Sequence, residues 1–235
     1  MSIDCILHPR RAGLPDGAEP LANLPTAALS DSMDRFGGAP GIGAMPPGSQ
    51  VRLFGPAFTV RTRPGDNLVV HKALDLAQRG DVLVIDAGGS TMRATLGGLI
   101  CRYAQSRGLA GLVVDGAVRD LGDIVELGLP VFARGFTHAG PYKDGPGEIG
   151  GPVNIGGTVV RTGDVVVGDV DGLVFVPAER VAPVLAAALA LVANEKRIVE
   201  AIGRGAWDRS WIDSKLTIVP AAGDVAWKED GATRR

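Results

Sequence analysis

Apolar and polar positions change period several times along the chain, and each change marks an element. Residues 24–36 open with Leu24-Pro25-Thr26, carry apolar side chains at helical spacing and stop at Gly37-Gly38, which predicts a helix with proline in its first turn. Phe58-Thr59-Val60-Arg61-Thr62 alternates as a half-buried strand does and ends at Pro64-Gly65. A helix over 68–78 follows, capped by Asp66 or Asn67 and stopped by Gly80, and Val82-Leu83-Val84-Ile85 then reads as a strand covered on both faces. Asp86-Ala87-Gly88-Gly89-Ser90 is a loop. The alternation repeats as a helix over 99–107 broken by Gly108, a strand over 112–114, a turn over 115–120, a helix over 121–127 and a strand over 131–133.

Beyond a stretch rich in Gly and Pro at 135–157, three β-branched runs at 158–160, 165–167 and 173–176 are separated by turns and read as antiparallel. Pro177-Ala178-Glu179 opens a long helix through Val181, Val184, Leu185, Leu189, Val192, Ile198 and Ile202, with Gly203 and Gly205 as its stop. Together these elements predict one α/β domain of mixed sheets with helices outside, over 24–205. Residues 1–23 lack a period and read as an arm, loose or docked on a neighbour, and 206–235 read as a tail, poorly ordered from about 220 onward.

Composition narrows the function classes. With 235 residues, 46% of them hydrophobic and 21% charged, the chain can bury a core and is too apolar to be largely disordered. The net charge of -2 lacks the basic excess of a phosphate-backbone binder, so nucleic acid is not an expected partner. Cys5 and Cys101 form neither a disulfide framework nor a zinc spacing and are expected as reduced thiols of a cytoplasmic protein. No secretory signal is visible at the start, and the apolar run at 181–192 is shorter than the ~20 residues of a membrane span. It is expected to be a buried or oligomer-facing helix, and no membrane partner is expected.

No Walker A sequence, His-Glu-x-x-His or nucleophile elbow is present, and Gly88-Gly89 lacks the spacing of a dinucleotide or S-adenosylmethionine loop. The best constellation lies where two strand ends meet. Gly97-Gly98-Leu99-Ile100 opens a helix, so the amides of Leu99 and Ile100 are candidate donors for a carboxylate. Arg119-Asp120 sits just past a strand, where open α/β sheets place ligands; the guanidinium can grip an anion while the carboxylate holds a hard cation. The pattern suggests a metal-assisted site for a small oxo-acid, against the plainer alternative of an Asp that caps a helix beside a surface Arg. His8, His71 and His138 show no ligand spacing, and only His71 belongs to a helix that could face the same crevice. Asp86 and Asp115 end neighbouring strands and could tie loops, while Asp169 and Asp171 read as turn residues.

Pro64-Gly65-Asp66-Asn67, Gly80-Asp81-Val82, Leu96-Gly97-Gly98-Leu99, Asp115-Gly116-Ala117-Val118-Arg119-Asp120 and the segment from Asp171-Gly172 to Pro177 carry a resemblance over 24–205. The chain resembles the RraA-like family, which contains the 4-hydroxy-4-methyl-2-oxoglutarate aldolases, also active as oxaloacetate decarboxylases, and the RraA regulators of ribonuclease E. The resemblance implies an α/β/β/α sandwich of the swivelling-domain type, homotrimers or hexamers with sites between subunits, and magnesium or manganese. It implies a class II, metal-dependent pyruvate aldolase in which Arg119 binds the substrate's carboxylate and keto oxygens, Asp120 binds the metal, and the Leu99 and Ile100 amides hold the pyruvyl carboxylate. Glu195 looks like the glutamate that reaches the metal's water shell from the neighbouring subunit. The chain departs from the pattern at Gly98, where characterised aldolases carry an Asp or Glu that orients a water for proton transfer; Asp86, His71 and Glu195 are candidate substitutes. The alternative that the resemblance carries is a non-enzymatic regulator binding ribonuclease E, against which the retained Asp120 counts.

Overall fold

The computed structural model describes residues 3–10 and 13–219 and forms two compact units, 1–193 and 194–235. In chain order its strands are β1 (Cys5–Leu7), β2 (Gly43–Ala44), β3 (Leu53–Thr62), β4 (Val82–Asp86), β5 (Ala94–Leu96), β6 (Gly111–Val118), β7 (Val131–Phe136), β8 (Gly147–Ile149), β9 (Val153–Ile155), β10 (Thr158–Val160), β11 (Val165–Asp169) and β12 (Gly172–Val176). The helices are α1 (Thr26–Asp31), α2 (Leu68–Leu76), α3 (Gly98–Ser106), α4 (Leu121–Leu127) and α5 (Val181–Gly203), with a short α6 (Ser210–Asp213) in the second unit.

One sheet runs β1-β8-β3-β4-β6-β7-β2, with β3, β4, β6 and β7 mutually parallel and β8 antiparallel to β3. Strand β3 is long enough to serve two layers: its second half pairs with β4 and β8, while Leu53 to Pro56 pair antiparallel with β11, which pairs with β12. Because successive side chains leave a strand on opposite faces, each central strand feeds two cores. In β4, Leu83 and Ile85 pack under α2 and α3, and Val82 and Val84 face the β11–β12 layer. In β12, Leu173 and Phe175 return that contact, while Val174 and Val176 face outward onto Leu21, Leu29, Val181, Val184 and Ala188. The three cores stack as helix on sheet, sheet on sheet and sheet on helix, which is the expected α/β/β/α order.

The structure redraws several elements. The first helix is Thr26–Asp31 rather than 24–36, because Pro25 stands in the cap position and Asp34 and Arg35 turn left-handed. Helix α2 ends at Leu76, before Gly80: Ala77 is extended, and the buried Asp81 carboxylate takes the Gln78 N–H. Residues 115–118, expected as a turn, instead prolong β6, whose eight residues are all buried, and β5 was not anticipated at all. Strand β10 pairs with β9 rather than with β11. Within the stretch expected to be an arm, β1 pairs with β8 and Leu21 is fully buried. The tail expected from about 220 onward lies outside the described residues. Among the described residues, no helix is long and apolar enough to cross a membrane.

The Gly-rich segment after β7 has no period of its own and is held by Asp66. This side chain is fully buried and accepts the N–H groups of Leu68 and Asp144 and the Arg63 guanidinium. Burial alone would raise the Asp66 carboxyl, but backbone N–H groups of Leu68, Asp144 and Gly145, helped by Arg63, outweigh it and hold it below the usual 3.8. Asp66→Asn should therefore lose on the order of 2 kcal/mol at neutral pH in denaturant titrations. Since the folded carboxyl is the stronger acid, the wild-type advantage should be full above the unfolded value near 3.8 and fade as pH falls through the depressed folded one.

Candidate active site

Strand register assembles the site. Strand β5 pairs with the end of β6, Ala94 opposite Ala117 and Leu96 opposite Val118, and the Arg119 N–H donates to the Leu96 carbonyl at 3.1 Å. The residues after each strand, Gly97-Gly98 and Arg119-Asp120, are thereby side by side. Asp120 occupies the cap position of α4 in a left-handed conformation, φ 59° and ψ 47°, that costs a non-glycine residue about 1 kcal/mol. Its carboxylate makes no cap hydrogen bond within α4. Instead Oδ2 accepts the N–H of Gly98, the first residue of α3, at 3.0 Å and lies 3.5 Å from Arg119 Nε. The plain helix-cap alternative for Asp120 is thus not what its side chain does. Its Oδ1 is left without a protein partner among the described residues, on a side chain 43% exposed.

Gly97 is needed for this approach: a Cβ there would come within 2.5 Å of Asp120 Oδ2 and 2.9 Å of Arg119 Cγ. The N–H of Cys101 returns to the Gly97 carbonyl, whereas those of Leu99 and Ile100 have no partner among the described residues. Two aligned donors at the positive end of α3 therefore open onto a pocket of about 110 Å³ that also touches Gly97, Arg119 and Asp120. Such a seat suits a carboxylate, with a guanidinium and a free carboxylate oxygen beside it.

The opposite wall comes from α2 and the segment after β7, through Asn67, His71, Pro141 and Lys143. The two segments are tied by the Asn67 N–H on the Tyr142 carbonyl, the Tyr142 N–H on the Gly65 carbonyl, and Arg93, whose guanidinium stacks 4.3 Å above the Tyr142 ring. Asn67 is buried, yet its Oδ1 has no hydrogen-bond partner. His71 is held below its usual value of 6.5, first by burial and then by the charge of Lys143, with Asp75 opposing, so its ring is neutral at pH 7. The Cys101 thiol, buried beneath the start of α3, is pushed up to about 12 by burial and by Asp120 and Asp123, and stays protonated and inert.

Of the candidates read from sequence, Arg119, Asp120, Leu99, Ile100 and His71 share this pocket, with Gly98 just behind its rim. Asp86 does not join them: Oδ1 holds the Gly88 N–H in its own turn, and Oδ2 holds the Asn154 N–H and faces Arg61 at 3.7 Å. Asp115 is buried against Arg134 at 2.6 Å and the Gly156 N–H at 2.7 Å, and Asp169 caps α1 through Thr26. His8 pairs with Glu148, and His138 stands exposed. Glu195 is exposed on α5, in the second unit. Sequence reasoning missed Asn67 and Lys143 as pocket residues. The segment that carries Lys143 has no period, and its place beside Asn67 is set by contacts distant in sequence.

Known proteins share the sequence and the fold. The sequence profile of the RraA-like family, described as Aldolase/RraA, matches residues 26–175. A Halalkalibacterium halodurans protein that carries the provisional name of a 4-hydroxy-4-methyl-2-oxoglutarate aldolase is 42% identical over 154 residues, 66% of this chain and 73% of that protein. The 4-hydroxy-4-methyl-2-oxoglutarate aldolase of Thermus thermophilus is 38% identical over 130 residues, covering 55% of this chain and 79% of the relative. Among solved structures, Streptomyces coelicolor RraAS2, described as an unusual member of the RNase ES inhibitor RraA protein family, superposes with a TM-score of 0.71 at 30% identity, over 79% of this chain and 98% of its own. The matched span, which takes in the Arg119-Asp120 pair, places the chain in the RraA-like family, Aldolase/RraA.

Proposed function

We propose that the chain is a divalent-metal-dependent lyase that cleaves small 4-hydroxy-2-oxo acids of the 4-hydroxy-4-methyl-2-oxoglutarate type to pyruvate, and decarboxylates oxaloacetate at the same site. The observation that carries this is the meeting of two free α3 amides, the Arg119 guanidinium and an unpartnered Asp120 oxygen around one small pocket. An α-oxo acid presents a carboxylate and a carbonyl side by side, and this arrangement offers a donor pair to the first and positive charge to the second.

Magnesium keeps several waters and is commonly held by only one or two carboxylates, so a half-exposed Asp120 fits it without a full protein cage; no group of three or more His, Cys, Asp or Glu is gathered for one among the described residues. Held by Asp120, magnesium or manganese would supply positive charge where the 2-oxo group becomes an enolate oxygen. The chain's own residues do the rest. The Leu99 and Ile100 amides seat the pyruvyl carboxylate, and Arg119 bears part of the enolate charge. At the far wall His71 as a neutral base takes the 4-hydroxyl proton, and Lys143 faces the second carboxylate. As that proton leaves, the bond between C3 and C4 breaks, its electron pair goes to the enolate, and C4 departs as the carbonyl of a second pyruvate. For oxaloacetate the same bond breaks with loss of carbon dioxide, and no base is needed. In this reading Glu195 reaches the site from a second copy of the chain, in a trimer or hexamer.

A second reading, a protein-binding regulator of ribonuclease E, is favoured by the likeness to RraAS2. It gives no role to the free α3 amides or to the unpartnered Asp120 oxygen.

Pyruvate release from 4-hydroxy-4-methyl-2-oxoglutarate and from oxaloacetate, with magnesium and with chelator, tests the proposal. Release should require the metal and fall by two or more orders of magnitude in Asp120→Ala. Release that is indifferent to both would exclude the mechanism, and no release alongside capture of ribonuclease E would favour the regulator. Separately, His71 should titrate below 6.5 by proton NMR, and Lys143→Met should move its midpoint upward by removing the neighbouring charge. Cleavage of the 4-hydroxy substrate should then decline as pH falls through the His71 midpoint, where the base becomes protonated, while decarboxylation should not follow that midpoint.

A further inference from the structure

The segment after β7 meets the pocket with alternate residues, as an extended chain does. Pro141 and Lys143 line the pocket, and Tyr142 between them does not. The Tyr142 ring stands 48% exposed, outside any hydrophobic core, and what holds it is charge: the Arg93 guanidinium lies 4.3 Å from the ring centroid and that of Arg63 5.5 Å. Cations over an aromatic face are attracted by the ring quadrupole, most strongly where the pair is partly desolvated.

Each arginine has a second hold on the same part of the wall. Arg93 donates to the Gly140 carbonyl at 2.9 Å, and Arg63 pairs with Asp144 and, at 3.0 Å, with Asp66. Both chain neighbours of Lys143 are fixed in this way. Tyr142 donates its N–H to the Gly65 carbonyl at 2.8 Å and accepts that of Asn67 at 3.1 Å, while the Asp144 N–H reaches Asp66 Oδ2 at 2.9 Å. Lys143 itself is exposed and has no ion-pair partner among the described residues, so its neighbours, not its own contacts, decide where its ammonium stands. The same segment passes close over Arg119: a Cβ on Gly140 would come within 2.7 Å of Arg119 Nη1.

We propose that Tyr142 is a positioning residue for substrate specificity: its ring, held under Arg63 and Arg93, fixes Lys143 at the far wall and so makes the site prefer a 2-oxo acid that carries a second carboxylate. The proposal rests on the lyase reading given above and deepens it. Tyr142 touches no substrate in this account and acts only through Lys143. A ring that serves remote binding should affect recognition of the second carboxylate and leave chemistry at the pyruvyl end alone, because the α3 amides, Arg119 and Asp120 stand on the other wall.

Two reactions of the full chain with magnesium separate these effects: cleavage of 4-hydroxy-4-methyl-2-oxoglutarate, which has the second carboxylate, and exchange of the pyruvate methyl protons in D2O, which does not need one. Tyr142→Leu should raise KM for cleavage about tenfold with kcat and methyl exchange within about twofold, and Tyr142→Phe, which keeps the ring, should behave as wild type. Tyr142→Leu combined with Lys143→Met should raise KM no further than Lys143→Met alone, since both remove one interaction. Arg93→Met, which leaves the tyrosine and strips a cation from its ring, should give the same split to a smaller extent and carries the test if Tyr142→Leu does not fold. Lys143 and Asp75 are the charges that act on His71, so Tyr142→Leu should also raise the His71 midpoint in proton NMR, as Lys143→Met does, independently of turnover. An unchanged KM in Tyr142→Leu, or a KM effect that adds in full to that of Lys143→Met, would overturn the proposal and leave the lyase reading standing. Equal losses of cleavage and methyl exchange would show that the ring supports the whole site and would overturn its role in specificity. A wild type that neither exchanges pyruvate nor cleaves the substrate would overturn the lyase reading itself, and this inference with it.

Discussion

The site depends on one hydrogen bond between two elements that are distant in sequence: the Asp120 carboxylate on the N–H of Gly98. To make it, Asp120 leaves its own helix uncapped and accepts a left-handed backbone, at a cost of about 1 kcal/mol. The gain is that the start of α3 and the start of α4 are locked together at one sheet edge, with the Arg119 guanidinium beside them. The β5–β6 register sets the distance, and Gly97 leaves room for the approach. Three otherwise ordinary features, a helix start, a strand end and a charged pair, acquire chemistry only because this contact holds them together.

The surrounding electrostatics follow from the same packing. Asp120 stands on one side of the pocket with Arg119 beside it, while Lys143 brings positive charge to the far wall. A free carboxylate oxygen beside a guanidinium suits a ligand that is anionic yet also needs a cation. Burial and then the charge of Lys143 hold the neighbouring His71 below its usual value, so the ring on this wall is neutral at pH 7. The buried, unpaired Asn67 oxygen carries an uncompensated desolvation cost of about 1–3 kcal/mol beside the pocket.

Much of the fold was legible in the sequence because its central strands are buried on both faces: Val82-Leu83-Val84-Ile85 and Val165-Val166-Val167 can be little else. Asp115-Gly116 misled, since the pair has the chemistry of a turn, whereas here Asp115 is satisfied inside the structure by Arg134 and the Gly156 N–H and lets β6 run on to Val118. Arg119-Asp120 and the Leu99 and Ile100 amides could be found because their spacing from the strand ends is local. Asn67 and Lys143 could not, because the segment that carries Lys143 lacks any period and is placed by contacts with Arg63, Gly65 and Asp66.

The central claim is that the α3 amides, Arg119 and an Asp120-held cation together recognise the enolate of pyruvate. Oxalate has the shape and charge of that enolate, so its binding, followed by titration calorimetry, tests the claim without relying on turnover. The account predicts that oxalate binds in the presence of magnesium at least tenfold more tightly than pyruvate does, and that this binding is lost with chelator, in Asp120→Ala and in Arg119→Ala. Oxalate binding that survives both chelation and the loss of Asp120 would contradict it.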